Sequence, residues 1–431
     1  MGNTSCNHQA GQRAKRAIEQ ARRLVAALIN AKPEEISCTS CGTEANNWAL
    51  RGLFAANKRK GNSLDSSRTR LSDSLGTPPH GPGRGAPHLI ISAIEHPSVS
   101  LVARRLEVDG GAKVTILPVD REGFVSPSDL KAAITPETVL VSIMLANGEV
   151  GTIEPIQEMA AVTHEHGALF HTDAVAAVGG MPVDVRALGI DALSLAADQF
   201  YGPQGAATLF VREGVRILPL LEGGGQEHGG RSGTENVAAI AGMGVAAEIA
   251  KRDLSQRMNH CACLRDRLRD GLQERIEGLR INGPADFRRV TRSHQEAAGR
   301  SPAAPGTPIG HPLRGYPASV AGPVESHEET LACRRLPHNL HVCIDGVSSE
   351  ALVLGLDQAG IAAGLGSACN SKAMRPSHVL KAMGLTDEQA KGALVLTVGM
   401  PTTDEEIDRA LEAIARVVMR LRRVITLTIR A

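Results

Sequence analysis

From residue 88 onward, short apolar stretches alternate with longer segments of helical or loop character. The apolar stretches cover residues 89–94, 114–119, 139–145, 168–171, 192–195 and 206–211. They are nearly continuous in aliphatic residues, which is typical of strands that are buried on both faces. Strands of this kind that alternate with helices predict an α/β fold, in which a mostly parallel sheet is covered by helices on both sides.

Polar side chains follow several of these predicted strands at the point where each strand ends. His96 follows the first strand, Asn147 and Glu149 follow the third, Asp173 follows the fourth and Gln199 follows the fifth. The carboxyl ends of parallel strands lie along one edge of a sheet, where α/β proteins bind their ligands. We therefore expect these side chains to lie close together in one crevice.

The region before residue 88 predicts two helices and a strand. An amphipathic helix is expected over residues 11–30, a strand over 35–38 and a second helix over 44–55. The turn at 39–44, Thr-Ser-Cys-Gly-Thr-Glu, connects the strand to the second helix. A turn of this composition at a helix N-terminus presents backbone N–H groups to an anion.

Two irregular stretches interrupt the regular pattern and indicate a two-domain chain. Residues 57–87 and 293–333 are rich in Pro, Gly and Ser or Ala and show no periodicity, so we expect flexible surface insertions. We expect a large domain over 1–236 and a smaller domain over 237–431, each with one insertion. The clearest helix of the small domain is predicted over 403–424, where Thr403 and Glu406 form a capping box.

Composition excludes several classes of function. The net charge of +1 gives no electrostatic argument for a nucleic-acid partner. Eight cysteines in 431 residues do not form a disulfide framework, and the Cys38/Cys41 and Cys261/Cys263 pairs lack a second pair at zinc spacing, so we expect no metal site. Because we find no signal-peptide pattern and no bilayer-spanning apolar run, we expect a cytoplasmic protein without a membrane partner.

Eight short blocks carry a resemblance that extends over nearly the whole chain outside the two insertions. They read TSCGTE at 39–44, EHP at 95–97, LANGE at 145–149, HTDA at 171–174, FYGP at 200–203, GGQE at 224–227, RSGTEN at 231–236 and GSAC at 366–369. In this order and spacing the chain resembles the cysteine desulfurases, with the selenocysteine lyases as close relatives. Both are class V aminotransferases of PLP fold type I.

The resemblance implies a fold, a cofactor and partners. The implied fold is a mostly parallel seven-stranded sheet sandwiched by helices, plus a smaller α+β C-terminal domain. The implied assembly is a homodimer that uses PLP and passes sulfur to an acceptor protein or an iron–sulfur scaffold. In such enzymes PLP is held by a lysine and acts as an electron sink, a loop cysteine takes the substrate sulfur as a persulfide, and alanine is the other product.

The resemblance also implies roles for five residues around the cofactor. His96 would stack on the pyridine ring, and Asp173 would keep the ring nitrogen protonated. Gly42 and Thr43 would form the turn that cradles the phosphate, and Thr234 would reach the PLP phosphate of the partner subunit. Without the resemblance, His96 equally suits a satisfied histidine at a strand end, and Asp173 equally suits a helix cap.

Cys369 resembles the persulfide-forming nucleophile of the family. The flanking Gly364, Gly366 and Ser367 suit a mobile loop. The alternative is an unreactive loop cysteine, because the reactivity of a thiol depends on its local pKa.

The chain departs from the family pattern at the residues that carry the chemistry. Gln199 occupies the position of the PLP-binding lysine, and a neutral amide cannot form an imine, so we expect no covalent attachment there. No lysine occurs between Lys131 and Lys251 that could replace it. Asp198 stands for a histidine, and Met400 stands for the arginine that clamps the substrate carboxylate. Three further polar contacts of the family are lost at Ala196, Gly148 and Ala176.

Three hypotheses for function remain open at this point. The first is a catalytically impaired or non-catalytic relative of the cysteine desulfurases, which acts in sulfur, iron–sulfur or selenium metabolism. The second is an active cysteine desulfurase or selenocysteine lyase that uses PLP and a persulfide on Cys369. The third is a degraded homologue without a function of its own.

Overall fold

The structure is a computed structural model that describes residues 2–58, 86–285, 334–366 and 376–430. The second predicted insertion, and all but the ends of the first, lie outside the described residues. Among the residues that are described, no helix is long and apolar enough to cross a membrane.

A seven-stranded sheet forms the centre of the larger part of the chain. Its strands are β1 (Ile36–Thr39), β2 (His88–Ser92), β3 (Lys113–Leu117), β4 (Thr138–Ser142), β5 (Leu169–Asp173), β6 (Ala192–Ala196) and β7 (Ala207–Val211). Their order across the sheet is β1-β7-β6-β5-β4-β2-β3. The five strands from β6 to β3 are parallel, whereas β7 runs antiparallel to both of its neighbours. The predicted mostly parallel sheet is therefore confirmed.

Helices cover both faces of this sheet. They are α1 (Gln9–Leu28), α2 (Gly42–Trp48), α3 (Phe54–Asn57), α4 (Pro97–Val108), α5 (Pro127–Ala133), α6 (Ile156–Glu165), α7 (Val185–Leu188) and α8 (Val237–Arg252). Successive strand residues enter opposite cores, as the two-residue period of a strand requires. Ile90 and Phe170 are buried in one core, and Leu89 and Leu140 in the other.

A smaller three-stranded antiparallel sheet follows in the C-terminal part. Its strands β8 (Leu279–Asn282), β9 (Asn339–Ile344) and β10 (Ala393–Thr397) are arranged in the order β10-β9-β8. The helices of this part are α9 (Leu254–Arg275), α10 (Ser349–Asp357), α11 (His378–Ala382), α12 (Asp387–Ala390) and α13 (Asp404–Arg430). Leu268, Leu352 and Ile414, from α9, α10 and α13, share one buried core with this sheet. The predicted smaller α+β region is confirmed.

The predicted capping box at the start of α13 is confirmed. The backbone N–H of Thr403 donates to Glu406 Oε2 at 3.0 Å, and the N–H of Glu406 donates to Thr403 Oγ1 at 3.3 Å. These two bonds satisfy donors that a helix N-terminus otherwise leaves unpaired.

The boundary between the two domains, predicted at residues 236/237, stays a prediction. Helix α8 follows this point but packs against α1, and Ile240 and Met243 belong to the core of the large sheet. We therefore propose that the large domain continues through α8 and that the small domain begins at α9.

Candidate active site

The carboxyl edge of the large sheet carries a buried aspartate at the end of β5. Asp173 is 6% exposed, and its Oδ2 accepts a hydrogen bond from Asn46 Nδ2 at 2.6 Å. Its Oδ1 accepts from the backbone N–H of Val175 at 3.0 Å. Burial raises the pKa of Asp173, while nearby His96 and the two hydrogen bonds lower it. A carboxylate in this setting favours a cationic N–H as its next neighbour.

A chain of hydrogen bonds connects Asp173 to His96. The Asn46 amide donates from Nδ2 both to Asp173 and to Ser98 Oγ, the latter at 2.9 Å. The Ser98 hydroxyl lies 2.7 Å from His96 Nδ1, which also accepts from the backbone N–H of Ser98. Because Ser98 Oγ accepts from Asn46, its own proton is free to point at His96 Nδ1. The exposed imidazole is therefore held in place with its Nδ1 as an acceptor.

His96 also serves a structural purpose, because its side chain caps the N-terminus of α4. The alternative of a satisfied histidine at a strand end and the alternative of a site residue are thus compatible. Asp173 shows the same duality, since its bond to Val175 orders the turn after β5.

Sequence patterns did not single out Asn46 and Ser98, which hold the two site residues together. Both lie in the first turns of helices that begin directly after a strand end of the sheet. Asn46 follows Thr43 by three residues, so the two share a helix face. That spacing is the signal that could have identified it.

The predicted phosphate turn lies beside Asp173. A Cβ on Gly42 would lie 2.7 Å from Val175 Cγ2, so the turn packs closely against the chain after β5. Thr43 is exposed at the first turn of α2. Glu44 fixes this turn, because its carboxylate accepts from Ser40 N at 2.8 Å and from Arg231 Nε at 2.7 Å. Burial alone would raise the pKa of Glu44, but these bonds lower it overall.

Thr234 lies on the exposed Gly-rich loop before α8. It lines a cavity of about 210 Å³ together with Ser40, Arg231 and Glu227. The structure therefore places Thr234 and the Gly42–Thr43 turn of the same chain near one another. Its assignment to the partner subunit's cofactor stays a prediction.

Gln199 lies in a short 3₁₀ turn, Ala197–Phe200, that directly follows β6. The side chain is exposed, and its Nε2 donates to Asp198 Oδ2 at 2.9 Å. The strand end at which the family carries an amine here carries a neutral amide bound to a carboxylate.

Tyr201 joins this turn to Met400. The tyrosine is in the left-handed region with φ +67°, which is unusual for a bulky residue. Its hydroxyl accepts from the backbone N–H of Met400 at 3.0 Å. The guanidinium of Arg257 lies 4.9 Å from the centre of the Tyr201 ring. Met400 is therefore held at the same sheet edge as Gln199, as the resemblance implies for the residue at this position.

The three small residues that replace polar family residues also lie at this edge. A Cβ on Gly42 would be 3.8 Å from Ala196 Cβ, and a Cβ on Gly148 would be 3.4 Å from Ala176 Cβ. The lost contacts thus cluster around the turn that would hold phosphate and around the turn after β4.

Cys369 lies outside the described residues, so its prediction stays untested. The strand-like contact before it is described, and Gly364 exchanges backbone hydrogen bonds with Val395 of β10 at 3.0 and 2.8 Å. Among the residues that the structure does describe, no group of three or more His, Cys, Asp or Glu side chains could hold a metal ion.

The site fits PLP at one end only. The buried Asp173 carboxylate, braced by Asn46 and placed near His96, suits a protonated pyridine nitrogen. The end of β6 offers no amine, since Gln199 donates its amide to Asp198. These residues would support non-covalent binding of the ring and do not support covalent attachment at β6.

Comparisons with known proteins agree with this architecture. The family described as "Aminotransferase class-V" matches residues 1–70 and 80–294. "Cysteine desulfurase IscS" from Clostridium botulinum (strain Hall) is 38% identical over 422 residues, which cover 98% of this chain and 88% of that protein. The protein of the same name from Methanosarcina thermophila is 38% identical over 428 residues, with 99% and 88% coverage. A solved "NIFS-LIKE PROTEIN" is 30% identical with a TM-score of 0.75, and the match covers 97% of this chain and 92% of the other.

Proposed function

Because the chain belongs to the class V aminotransferases and is a homologue of the cysteine desulfurases, we propose that it binds PLP without covalent attachment and lacks efficient desulfurase activity. The observation that carries the proposal is Gln199 at the end of β6, where its amide is bound to Asp198. A neutral amide is not a nucleophile toward an aldehyde under these conditions. When bound, PLP would supply an electron sink for a reacting amino acid.

The residues of this chain would hold the ring end of the cofactor. Asp173 would balance the charge of the pyridine nitrogen, and Asn46 would keep the carboxylate oriented. His96 would cover one face of the ring. The hydrogen-bond chain through Ser98 sets the imidazole before any ligand arrives, so little side-chain ordering is needed on binding.

The opposite end of the site would bind more weakly than in a family member with the full set of residues. Ala196, Gly148 and Ala176 each remove a polar partner, and an ordinary hydrogen bond is worth about 0.5–1.5 kcal/mol. Met400 cannot form the bidentate contact that an arginine makes with a carboxylate. The exposed carboxylate of Asp198 adds like-charge repulsion toward an anionic substrate group.

Two measurements on the purified protein with added PLP test the proposal. We expect a PLP absorption band that is lost on dialysis, no PLP fixed to the protein after borohydride treatment, and no alanine formed from cysteine above the protein-free rate. Borohydride-stable PLP together with catalytic turnover would refute the proposal.

Asp173→Asn provides the site-specific control. We expect about ten- to a hundredfold weaker PLP binding, because a hydrogen bond to a charged group is worth about 1.5–3 kcal/mol. The matched variant Asp129→Asn changes an exposed aspartate on α5 and should leave the affinity unchanged. Equal affinity of both variants would show that PLP binds elsewhere.

A second candidate is an active cysteine desulfurase or selenocysteine lyase, which the 38% identity to proteins called cysteine desulfurase favours. It would convert cysteine or selenocysteine to alanine with a persulfide on Cys369. Alanine formation that disappears in Cys369→Ser would establish this candidate. Absence of both PLP binding and turnover would leave the third hypothesis, a degraded homologue.

A homodimer in the cytoplasm that delivers sulfur to an acceptor or an iron–sulfur scaffold completes the proposal. The exposed position of Thr234 next to the phosphate turn supports a role in a subunit interface. Sedimentation analysis should give twice the chain mass of 45.3 kDa, and a concentration-independent monomer would contradict it.

A further inference from the structure

Two buried polar atoms face each other where the small sheet meets the active-site edge. Glu149 Oε1 and His341 Nε2 lie 3.7 Å apart, and their side chains are 8% and 0% exposed. Neither atom has a hydrogen-bond partner among the described residues. Buried polar atoms are nearly always paired, so two unpaired atoms at this separation require an explanation.

The tautomer of His341 is set by its other nitrogen. Asn282 Nδ2, on the neighbouring strand β8, lies 2.9 Å from His341 Nδ1. An amide nitrogen only donates, so Nδ1 is the acceptor and the proton of the neutral ring is on Nε2. That proton points to the side of the ring on which Glu149 Oε1 lies.

Glu149 belongs to the turn that follows β4, and this turn is fastened to the small sheet. Asn339, the first residue of β9, donates from Nδ2 to the carbonyl oxygens of Gly148 and Glu149, both at 3.0 Å. Arg335 Nη2 in turn donates to Asn339 Oδ1 at 3.3 Å. A Cβ on Gly366 would lie 2.7 Å from Glu149 Oε1, so the carboxyl group also contacts the segment after α10.

We propose that Glu149 and His341 hold one proton between them, and that this proton fastens strand β9 of the small domain to the turn at residues 147–149. With the proton present, the pair is neutral overall. When the proton leaves, a carboxylate remains in a buried site beside a neutral imidazole. An uncompensated buried charge is costly, so the junction is weaker in that state.

The charges around the pair agree with this assignment. Burial raises the pKa of Glu149 to about 7, against a lowering by the Ser377 hydroxyl. Burial lowers the pKa of His341 to about 3, and the nearby Arg335 cation lowers it further. Cys343 is the remaining titratable neighbour, and burial raises the pKa of its thiol to about 11, so it stays neutral. The proton that leaves near pH 7 therefore belongs to the pair as a unit.

The sign of the pH effect follows from the raised pKa of the acid. In the opened state Glu149 has its ordinary pKa of 4.5 and is ionised at both pH 6 and pH 8. The closed junction retains the proton at pH 6 and loses it by pH 8. Its stability therefore falls as the pH rises through 7, and the expected loss between pH 6 and pH 8 is about tenfold in the opening equilibrium.

Hydrogen–deuterium exchange on the full chain tests this junction without any cofactor. Peptides that cover 145–153 and 339–344 should exchange about tenfold faster at pH 8 than at pH 6, after correction for intrinsic exchange rates. In Glu149→Gln this difference should vanish. Glu95→Gln, which changes another buried carboxyl group with an unpaired oxygen, should retain it. An identical pH effect in wild type and Glu149→Gln would overturn the proposal.

A histidine titration by NMR tests the sharing itself. The ¹³Cε1 resonance of His341, identified as the one absent in His341→Gln, should shift with a midpoint near pH 7 in the wild type. It should keep its neutral position in Glu149→Gln. If Glu149→Gln does not fold, the wild-type titration decides alone, because a His341 resonance without an inflection between pH 6 and pH 8 refutes a shared proton. Neither measurement depends on PLP, so failure of the proposed function leaves this inference standing, and the reverse also holds.

Discussion

Glu95 is a fully buried carboxyl group directly before His96, and it offers a quantitative test of the site's electrostatics. Its Oε1 accepts from the Ser92 hydroxyl at 2.6 Å and from the backbone N–H of Met144 at 2.9 Å. Its Oε2 has no hydrogen-bond partner among the described residues. Burial raises the pKa of Glu95 to about 8, and the nearby Asp173 raises it further, although the bonds to Oε1 lower it. At neutral pH this group is a neutral carboxylic acid with its proton on Oε2.

Glu95→Gln replaces the neutral acid by an amide of the same shape. The Gln oxygen can keep both hydrogen bonds of Oε1, and the amide nitrogen takes the place of the protonated Oε2. In the wild type the unfolded chain ionises this group above pH 4.5, while the folded chain keeps it protonated up to about pH 8. Stability from this group is thus complete below pH 4.5 and is lost as the pH rises toward 8. Between pH 5 and pH 7 the wild type should lose about 2.5 kcal/mol that the variant does not lose.

Urea unfolding at pH 5, 6 and 7 measures this difference. Other buried carboxyl groups, such as Glu149 and Glu154, titrate in both proteins, so only the difference between the two stability profiles is attributed to Glu95. We expect the variant to gain about 2.5 kcal/mol relative to the wild type over this range. Parallel profiles would mean that Glu95 is ionised in the folded protein, and the description of a neutral acid beside Asp173 would be wrong.

Two further predictions concern covalent chemistry and stability. Gln199→Lys alone should not restore desulfurase turnover, because Met400 and Asp198 remain; normal alanine production by this single variant would show that their effect is overestimated. Glu227→Gln should destabilise the fold by about 3–5 kcal/mol in urea unfolding, since it breaks a buried ion pair with Arg22 at 2.7 Å. Asp109→Asn, in an exposed pair, should cost less than about 1 kcal/mol, and equal losses for the two would contradict the role of burial.

The sequence predicted the large sheet well because strand burial is visible in composition. The stretches before His96 and Asp173 are aliphatic on both faces, and β2 and β5 are buried almost throughout. Strand ends were less accurate, since β4 ends at Ser142 and the chain continues buried beyond it. The antiparallel direction of β7 was not predicted, because strand direction depends on the path of the turn after Phe200 rather than on composition.

The small domain was less accessible to sequence analysis. Helix α9 and strand β8 were not predicted, because α9 carries many charged residues and β8 is a short strand in which Arg280 separates two apolar residues. Likewise, the pairing of Glu149 with His341 joins residues that are almost two hundred positions apart. No local pattern reports such a contact, whereas Asp173 and His96 were identified by strand ends and motif spacing.

The division of the site between neighbouring strands has a consequence for how such a protein can change. Asp173 ends β5 and takes its bonds from Asn46 and Val175, whereas Gln199 follows β6 and is bonded to Asp198. The described side-chain contacts of the two residues do not overlap. Recognition of a ring and reaction with it are therefore separable traits in this fold, so a lineage can discard one while the other persists unaltered.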